Sequence, residues 1–262
     1  MDKEPRLTVE GIKMTIAIIG GSGLYNFKDL IVRKKIRPAT PYGDISDELV
    51  IGEFAEKNVL FLPRHGCTHQ IPPHKVNYRA NIWALKEAGV SHIIAINAVG
   101  GIADYLTSGD IVIPDQIIDY TYGREHTFSD GNSGTVQHID FSQPFDEKLR
   151  AIVIGALNPQ GPYNCHSKGV YGCTQGPRLE TAAEVQRLKN DGCTVVGMTV
   201  MPEAALAKEL SIPYVAINIV ANLAAGLSAE LITMEEITQV VEKGHRHIQG
   251  IIKNTLLHPE ME

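Results

Sequence analysis

Arg64-His65-Gly66 ends the apolar run Val59–Leu62, which puts a guanidinium beside an imidazole where a buried strand would stop. A guanidinium fork matches phosphate oxygens bidentately, and a neighbouring imidazole adds a donor. Gly20-Gly21-Ser22-Gly23 follows Ile16–Ile19 in the same way. Its glycines are free to adopt positive φ and to turn amides and a hydroxyl toward an anion. The dinucleotide fingerprint fails at Asn26, where a glycine is needed, and no GKS or GKT triplet makes a P-loop. Taken alone, such a turn serves equally well as a plain strand-to-loop connection. Three more runs stop at polar or small residues: Ile93–Ile96 before Asn97, Val195–Val196 before Gly197-Met198-Thr199, and Tyr214–Val220 before Asn222. Ligands of α/β sheets bind outside strand carboxyl ends. The five ends therefore predict one site, assembled from distant segments, for a small polar anion and its partner.

Other chemistry is poorly supported. His65, His69 and His74 tempt a metal reading, but Gly66 and Pro72-Pro73 break any helix that would align an i, i+4 pair, and no HExxH or acidic ligand cluster accompanies them. No Gly-x-Ser-x-Gly elbow or comparable Cys–His motif presents a nucleophile. Glu180 precedes a helix start at Thr181, where spacing alone assigns it helix-dipole compensation. His245 and His247 sit on an amphipathic helix and are expected to be solvated.

The elements that must position these groups alternate between strand and helix, with a strand-rich stretch from 45 to 63. Short Ile- and Val-rich runs bounded by Gly or Pro read as buried strands. Val76–Ala88 reads as a helix closed by Gly89, and Asp146–Leu157 as another. Asp110–Asp119 is a strand candidate, and the polar stretch Gly123–Asp140 a surface loop. Thr181…Glu184 and Thr233…Glu236 are capping boxes, and Pro202-Glu203 suits a first helical turn. The last helix runs from Thr233 to about Asn254, with Ile237, Val240, Val241, Ile248 and Ile251–Ile252 at helical spacing. The reading is an α/β domain with a largely buried central sheet, open or closed.

Bulk properties agree. At 262 residues, 44% apolar and 21% charged, the chain fits one large globular domain. A net charge of −6 without a basic stripe argues against nucleic acid as the main ligand. No run approaches the roughly 18–20 apolar residues of a membrane span. Residues 1–13 are polar with no apolar signal core and are expected to be a disordered leader, with Met14 a candidate alternative start. Cys67, Cys165, Cys173 and Cys193 show no paired spacing, which suggests reduced thiols and a cytoplasmic enzyme.

Together these stretches resemble the trimeric purine nucleoside phosphorylase family, especially its methylthionucleoside branch. The matching words are IIGGSGL (18–24), RHG (64–66), HKVNYRANIWALKEAG (74–89), NAVGG (97–101), SGDIVIPDQIID (108–119), HSKGVY (166–171), GPRLET (176–181) and GMTVMPEAALAKE (197–209). The resemblance covers nearly the whole chain after Met14 and implies one phosphorylase domain over residues 14–262. It further implies a central mixed sheet with a small barrel, and a homotrimer. It places phosphate on Ser22, Arg64, His65, Thr199 and the Asn97–Ala98 backbone, with Met198 against the ribose. The base pocket falls on Glu180 and on Asn222, Leu223 and Ala224.

Two departures narrow the expected substrate. The methylthioadenosine-cleaving branch has Ser where Glu180 stands and Asp where Asn222 and Ala224 stand. A carboxylate at 180 accepts the N1–H of a 6-oxopurine, and the Asn222 amide donates to N7 or O6. That pair looks like the inosine- and guanosine-cleaving branch. Near the ribose 5′ position, however, Met234 stands at about the place where that branch has a histidine, with Ile237 one turn on. An apolar wall favours thiomethyl over hydroxyl. His69 and His138 match positions bordering the 5′ side, His138 from a neighbouring subunit. The implied substrate is methylthioinosine, cleaved by phosphate without a metal or organic cofactor, with Asn222, Glu180 and His65 as the residues nearest the chemistry. Alternatives are a general inosine/guanosine phosphorylase, a methylthioadenosine phosphorylase, a nucleoside hydrolase, and a non-catalytic purine-binding protein.

Overall fold

All five apolar runs form strands, because each is too short and too β-branched for a helix and is flanked by chain-turning residues. In order, the elements are β1 (Ile16–Gly20), β2 (Ile31–Ile36), β3 (Leu49–Phe54), β4 (Lys57–Pro63), α1 (Tyr78–Glu87), β5 (His92–Gly101), β6 (Ile111–Val112), β7 (Gln116–Asp119), α2 (Glu147–Gly155), β8 (Cys165–His166), β9 (Val170–Cys173), α3 (Ala182–Asn190), β10 (Val195–Gly197), α4 (Val200–Glu209), β11 (Tyr214–Leu223) and α5 (Met234–Leu256). The computed structural model describes residues 16–20, 29–129, 131, 136–158, 160–161, 163–228 and 233–261. The leader expected over 1–13 and Ser22 lie outside the described residues. No described helix is long and apolar enough to cross a membrane.

The strands form one branched, mixed sheet. Its main path runs β2-β3-β4-β1-β5-β10-β9-β7, and a second arm leaves β5 through β11 to β6 and β8. β1 is buried at every residue. Ala17 and Ile19 join the apolar layer beneath α1 and α4, while Ile16 and Ile18 join the opposite layer beneath α2 and α5. Burial on both faces explains why this strand reads as a continuous apolar run rather than an alternating one. The mostly exposed β2, with Arg33, Lys34 and Lys35, escapes that signature. It ends the sheet, and basic side chains on an edge strand discourage further pairing.

Several boundaries differ from the expectation, each for a local reason. α1 begins at Tyr78 rather than Val76, because Pro73–Lys75 makes a separate 3-10 turn and the Asn77 side chain caps the new helix through the Ala80 amide. The expected strand 110–119 divides into β6 and β7 around Pro114, which has no N–H for a ladder. Both capping boxes form with reciprocal side-chain and backbone bonds. His245 and His247 are half-buried rather than solvated. His247 packs edge-on against Tyr163 and lies 3.7 Å from Cys165 Sγ.

Candidate active site

The strand β5 changes partners, and the site opens where it does so. Along one edge it pairs with β11 from Ile93 to Gly101. Along the other, β1 covers His92–Ala95 and antiparallel β10 covers only Gly100–Gly101. Among the described residues, no strand pairs with 96–99 on that edge, at a crevice of the kind in which α/β sheets bind ligands. A cavity of about 470 Å³ fills the gap. It is lined by Arg64, His65, Asn97, Ala98, Met198, Thr199, Glu180, Asn222, Ala224, His69 and Ile237, so segments more than a hundred residues apart converge there.

The anion side is built differently from the sequence expectation. Arg64 is fully buried, and its fork is already engaged: Nε and Nη2 donate to the two carboxylate oxygens of Glu203 at 2.7 and 2.8 Å. Nη1 donates to the Ile96 carbonyl at 3.2 Å, within β5. Of five guanidinium N–H groups, two remain for a ligand. Burial works against the Arg64 charge, but the Glu203 carboxylate outweighs it and holds the guanidinium above its ordinary range. Tyr214 also donates to Glu203, at 2.8 Å. Burial, then the Glu203 charge, push its phenol well up, so it remains a donor.

His65 likewise departs from a simple donor. The Gly66 backbone, at φ +76°, turns the chain so that His65 and Ile71 meet. The Ile71 amide donates to the His65 carbonyl at 3.0 Å, and Nδ1–H donates back to the Ile71 carbonyl at 2.8 Å. A carbonyl cannot donate, so the neutral ring keeps its lone pair on Nε2. Burial, then the Arg64 charge, lower its pKa to about 3 against the pull of the Ile71 bond.

Asn97 and Thr199 complete this side. Thr199 is the N-cap of α4 but makes no side-chain cap bond. Its hydroxyl instead reaches Asn97 Oδ1 at 2.9 Å, and Asn97 Nδ2 reaches Asn218 Oδ1 at 2.9 Å. Met201, at non-helical φ and ψ, interrupts α4, so Pro202-Glu203 opens its regular part and sits in a first helical turn as expected. Glu203 is thereby turned into the core toward Arg64.

The base side rests on Glu180 and Asn222. Glu180 is half-buried, and the Thr174 hydroxyl donates to its Oε1 at 2.6 Å. Helix capping belongs to Thr181 and Glu184 instead, which frees Glu180 from the dipole role. A β-bulge after Val220 shifts the register of β11 and brings both Ala221 and Asn222 to the cavity wall. Asn222 Nδ2 donates to the Leu223 carbonyl at 2.7 Å, which leaves one N–H and Oδ1 for a ligand. Leu223 itself is outside the lining. His138 is exposed and also outside it. Met234 opens α5, but its side chain is not described.

Four residues at this site carry no local sequence signal strong enough to single them out: Glu203, Asn218, Thr174 and Arg124. Glu203 and Asn218 each stand alone among apolar neighbours, in PEAALA and AINIV, and that isolation was the available clue. Arg124 is buried and donates to the carbonyls of Met198, Met201, Thr174 and Gln175, joining the loops on either side of the cavity.

Comparison with known proteins gives the same assignment. The chain is 51% identical over 246 residues to a probable S-methyl-5′-thioinosine phosphorylase of Pseudomonas syringae pathovar tomato, covering 93% of this chain and 97% of that one. It is 45% identical over 243 residues to a 6-oxopurine nucleoside phosphorylase of Pyrococcus furiosus, covering 90% of each. Its fold is similar to methylthioadenosine phosphorylase from Schistosoma mansoni in complex with adenine, with a TM-score of 0.87, 33% identity, and coverage of 93% and 91%. A family model described as the phosphorylase superfamily matches residues 15–257, and the chain belongs to that superfamily.

Proposed function

We propose that this chain is a purine nucleoside phosphorylase that converts S-methyl-5′-thioinosine and phosphate to hypoxanthine and 5-methylthioribose 1-phosphate. The observation that carries the reading is the shared cavity: Glu180 and Asn222 face the same space as Arg64, His65, Asn97 and Thr199, with Ile237 on its wall. Glu180 suits the N1–H of a 6-oxopurine, and the free Asn222 N–H suits N7 or O6. Ile237 offers no hydrogen bond to a 5′-hydroxyl but makes good contact with a thiomethyl group.

Phosphate attacks C1′ as the bond to N9 lengthens through an oxocarbenium-like transition state. Arg64 and the Asn97–Ala98 backbone hold the anion beneath the sugar, so its charge stabilises the developing cation. Asn222 stabilises the charge that flows into the purine. The rate gain comes from positioning and electrostatics, with no protein nucleophile and no metal or organic cofactor. The homotrimer belongs to the same proposal. His138, exposed and outside its own chain's cavity lining, fits a residue supplied across a subunit interface.

The deciding experiment is kcat/KM for methylthioinosine, methylthioadenosine, inosine and adenosine, with and without phosphate. Methylthioinosine should lead, and turnover should require phosphate. Equal rates for inosine would favour a general 6-oxopurine phosphorylase, a reading supported by the Pyrococcus furiosus relative. Turnover independent of phosphate would replace both with a hydrolase.

A further inference from the structure

The polarity of the anion subsite is set by a chain of side chains that begins in the sheet. The Val112 carbonyl can only accept, and Asn218 Nδ2 donates to it at 3.0 Å. Asn218 must therefore turn Oδ1 toward Asn97, which donates through Nδ2. Asn97 in turn presents Oδ1 to Thr199, and the Thr199 hydroxyl spends its proton there. What Thr199 Oγ1 has left is lone pairs, shared between the cavity and the neighbouring buried Tyr171 hydroxyl. His65 is set the same way by the Ile71 carbonyl, which takes Nδ1–H and leaves a lone pair on Nε2. A site read as binding an anion thus carries two side-chain acceptors.

An acceptor facing a bare oxyanion oxygen is repelled, whereas an acceptor facing P–OH makes a hydrogen bond. We propose that this subsite selects an oxyanion that brings its own proton, hydrogenphosphate or hydrogenarsenate, over sulfate of the same charge. The inference rests on the phosphorylase reading and deepens it.

The proton also closes the balance of the reaction. The C1′–O bond forms from HPO₄²⁻, and the C1′–N9 bond breaks with its electron pair going to the purine. The products are a sugar phosphate dianion and a neutral purine. The proton that arrived on phosphate equals the one the purine gains, so the reaction takes no net proton from solvent.

The ionisable groups around His65 are consistent with a neutral ring. Arg64 adjoins it, with Glu203 behind Arg64, and the His69 ring lies 4.7 Å away, centroid to centroid. Glu180 lines the same cavity from the base side. Burial, then Arg64 and His69, disfavour an imidazolium. For sulfate to meet a donor at this position, His65 would have to take a proton from solution. Sulfate binding should therefore strengthen as pH falls.

The test is calorimetric titration of the full-length protein with phosphate, arsenate and sulfate at fixed ionic strength. At about pH 8, where phosphate is mainly the dianion, sulfate should bind at least ~10-fold more weakly than phosphate or arsenate. The gap should narrow toward about pH 6 as His65 protonation becomes less costly. In His65→Gln, whose amide can donate, sulfate should gain on phosphate. Sulfate within about threefold of phosphate near pH 8 would overturn the inference while phosphate-dependent turnover upheld the phosphorylase reading. An unchanged anion ratio in folded His65→Gln would also overturn it. Loss of any phosphate dependence in the wild-type reaction would remove the reading and the inference together.

Discussion

Glu203 shows how much of this site depends on a residue that need not touch substrate. Its carboxylate is buried, receives two N–H groups from Arg64 and the Tyr214 hydroxyl, and so orients the guanidinium whose remaining edge serves the anion. Removing one partner of a buried pair leaves the other charge uncompensated. Glu203→Gln should therefore lower unfolding free energy by about 3–5 kcal/mol, measured by urea denaturation, and raise the KM for phosphate. A stability change below about 1 kcal/mol would mean that the pair is not the buried anchor described. Glu180→Gln keeps the shape but loses the charged acceptor. It should lower kcat/KM for methylthioinosine by about 10- to 100-fold, the worth of one lost bond of roughly 1–3 kcal/mol, without changing phosphate affinity. Unchanged nucleoside kinetics would remove Glu180 from base recognition. Asn222→Asp replaces a donor with an acceptor, or with a proton donor when protonated. Activity on adenosine relative to inosine should rise, and a constant ratio would show that selection lies elsewhere.

At the scale of elements, the site is a seam between loops, held by one arginine. Arg124 follows β7 and donates to the Thr174 and Gln175 carbonyls after β9 and to the Met198 and Met201 carbonyls around the start of α4. The first pair carries the base side, through the Thr174 bond to Glu180, and the second carries Met198 and Thr199. Arg124→Met would leave several carbonyls without their donor, a loss of about 2–4 kcal/mol after partial rescue by water. Because both loops are released together, the KM values for nucleoside and for phosphate should rise in parallel, with Tm lowered. A rise in only one of the two would show that Arg124 serves one loop rather than the seam. The β-bulge in β11 acts at the same scale. It inserts Ala221 and re-aims the strand end that carries Asn222.

For the whole molecule, buried neutral histidines make stability depend on pH. His65 is held at about pKa 3 in the fold against an ordinary 6.5, and burial lowers His247 as well. The unfolded chain binds these protons first, so stability is full above about pH 6.5 and declines as pH falls toward about 3. The urea midpoint should drop between about pH 8 and pH 5, and His65→Gln should flatten part of that slope. A midpoint constant over that range would contradict the neutral, buried assignment.

Much of this architecture is legible from residue order, because its signals are local. Apolar runs such as Ile16–Ile19 and Tyr214–Val220 must be buried strands, and Thr181…Glu184 and Thr233…Glu236 carry their helix starts within four residues. Even the strand-end residues of the site can be picked out, since polar groups that close apolar runs need a reason to be there. The edge strand β2 is hidden because its exposed basic residues look like any solvated segment. What only the tertiary structure decided is the direction of each hydrogen bond. Arg64 meets Glu203 across 139 positions, and Thr199 meets Asn97 across 102. Donor and acceptor roles there follow from which atom the fold places opposite, a property of three-dimensional contact that no spacing along the chain encodes. The sequence alone thus determined that Arg64, His65 and Thr199 gather at strand ends. The fold decided that Arg64 arrives with its fork occupied, and that His65 and Thr199 arrive as acceptors.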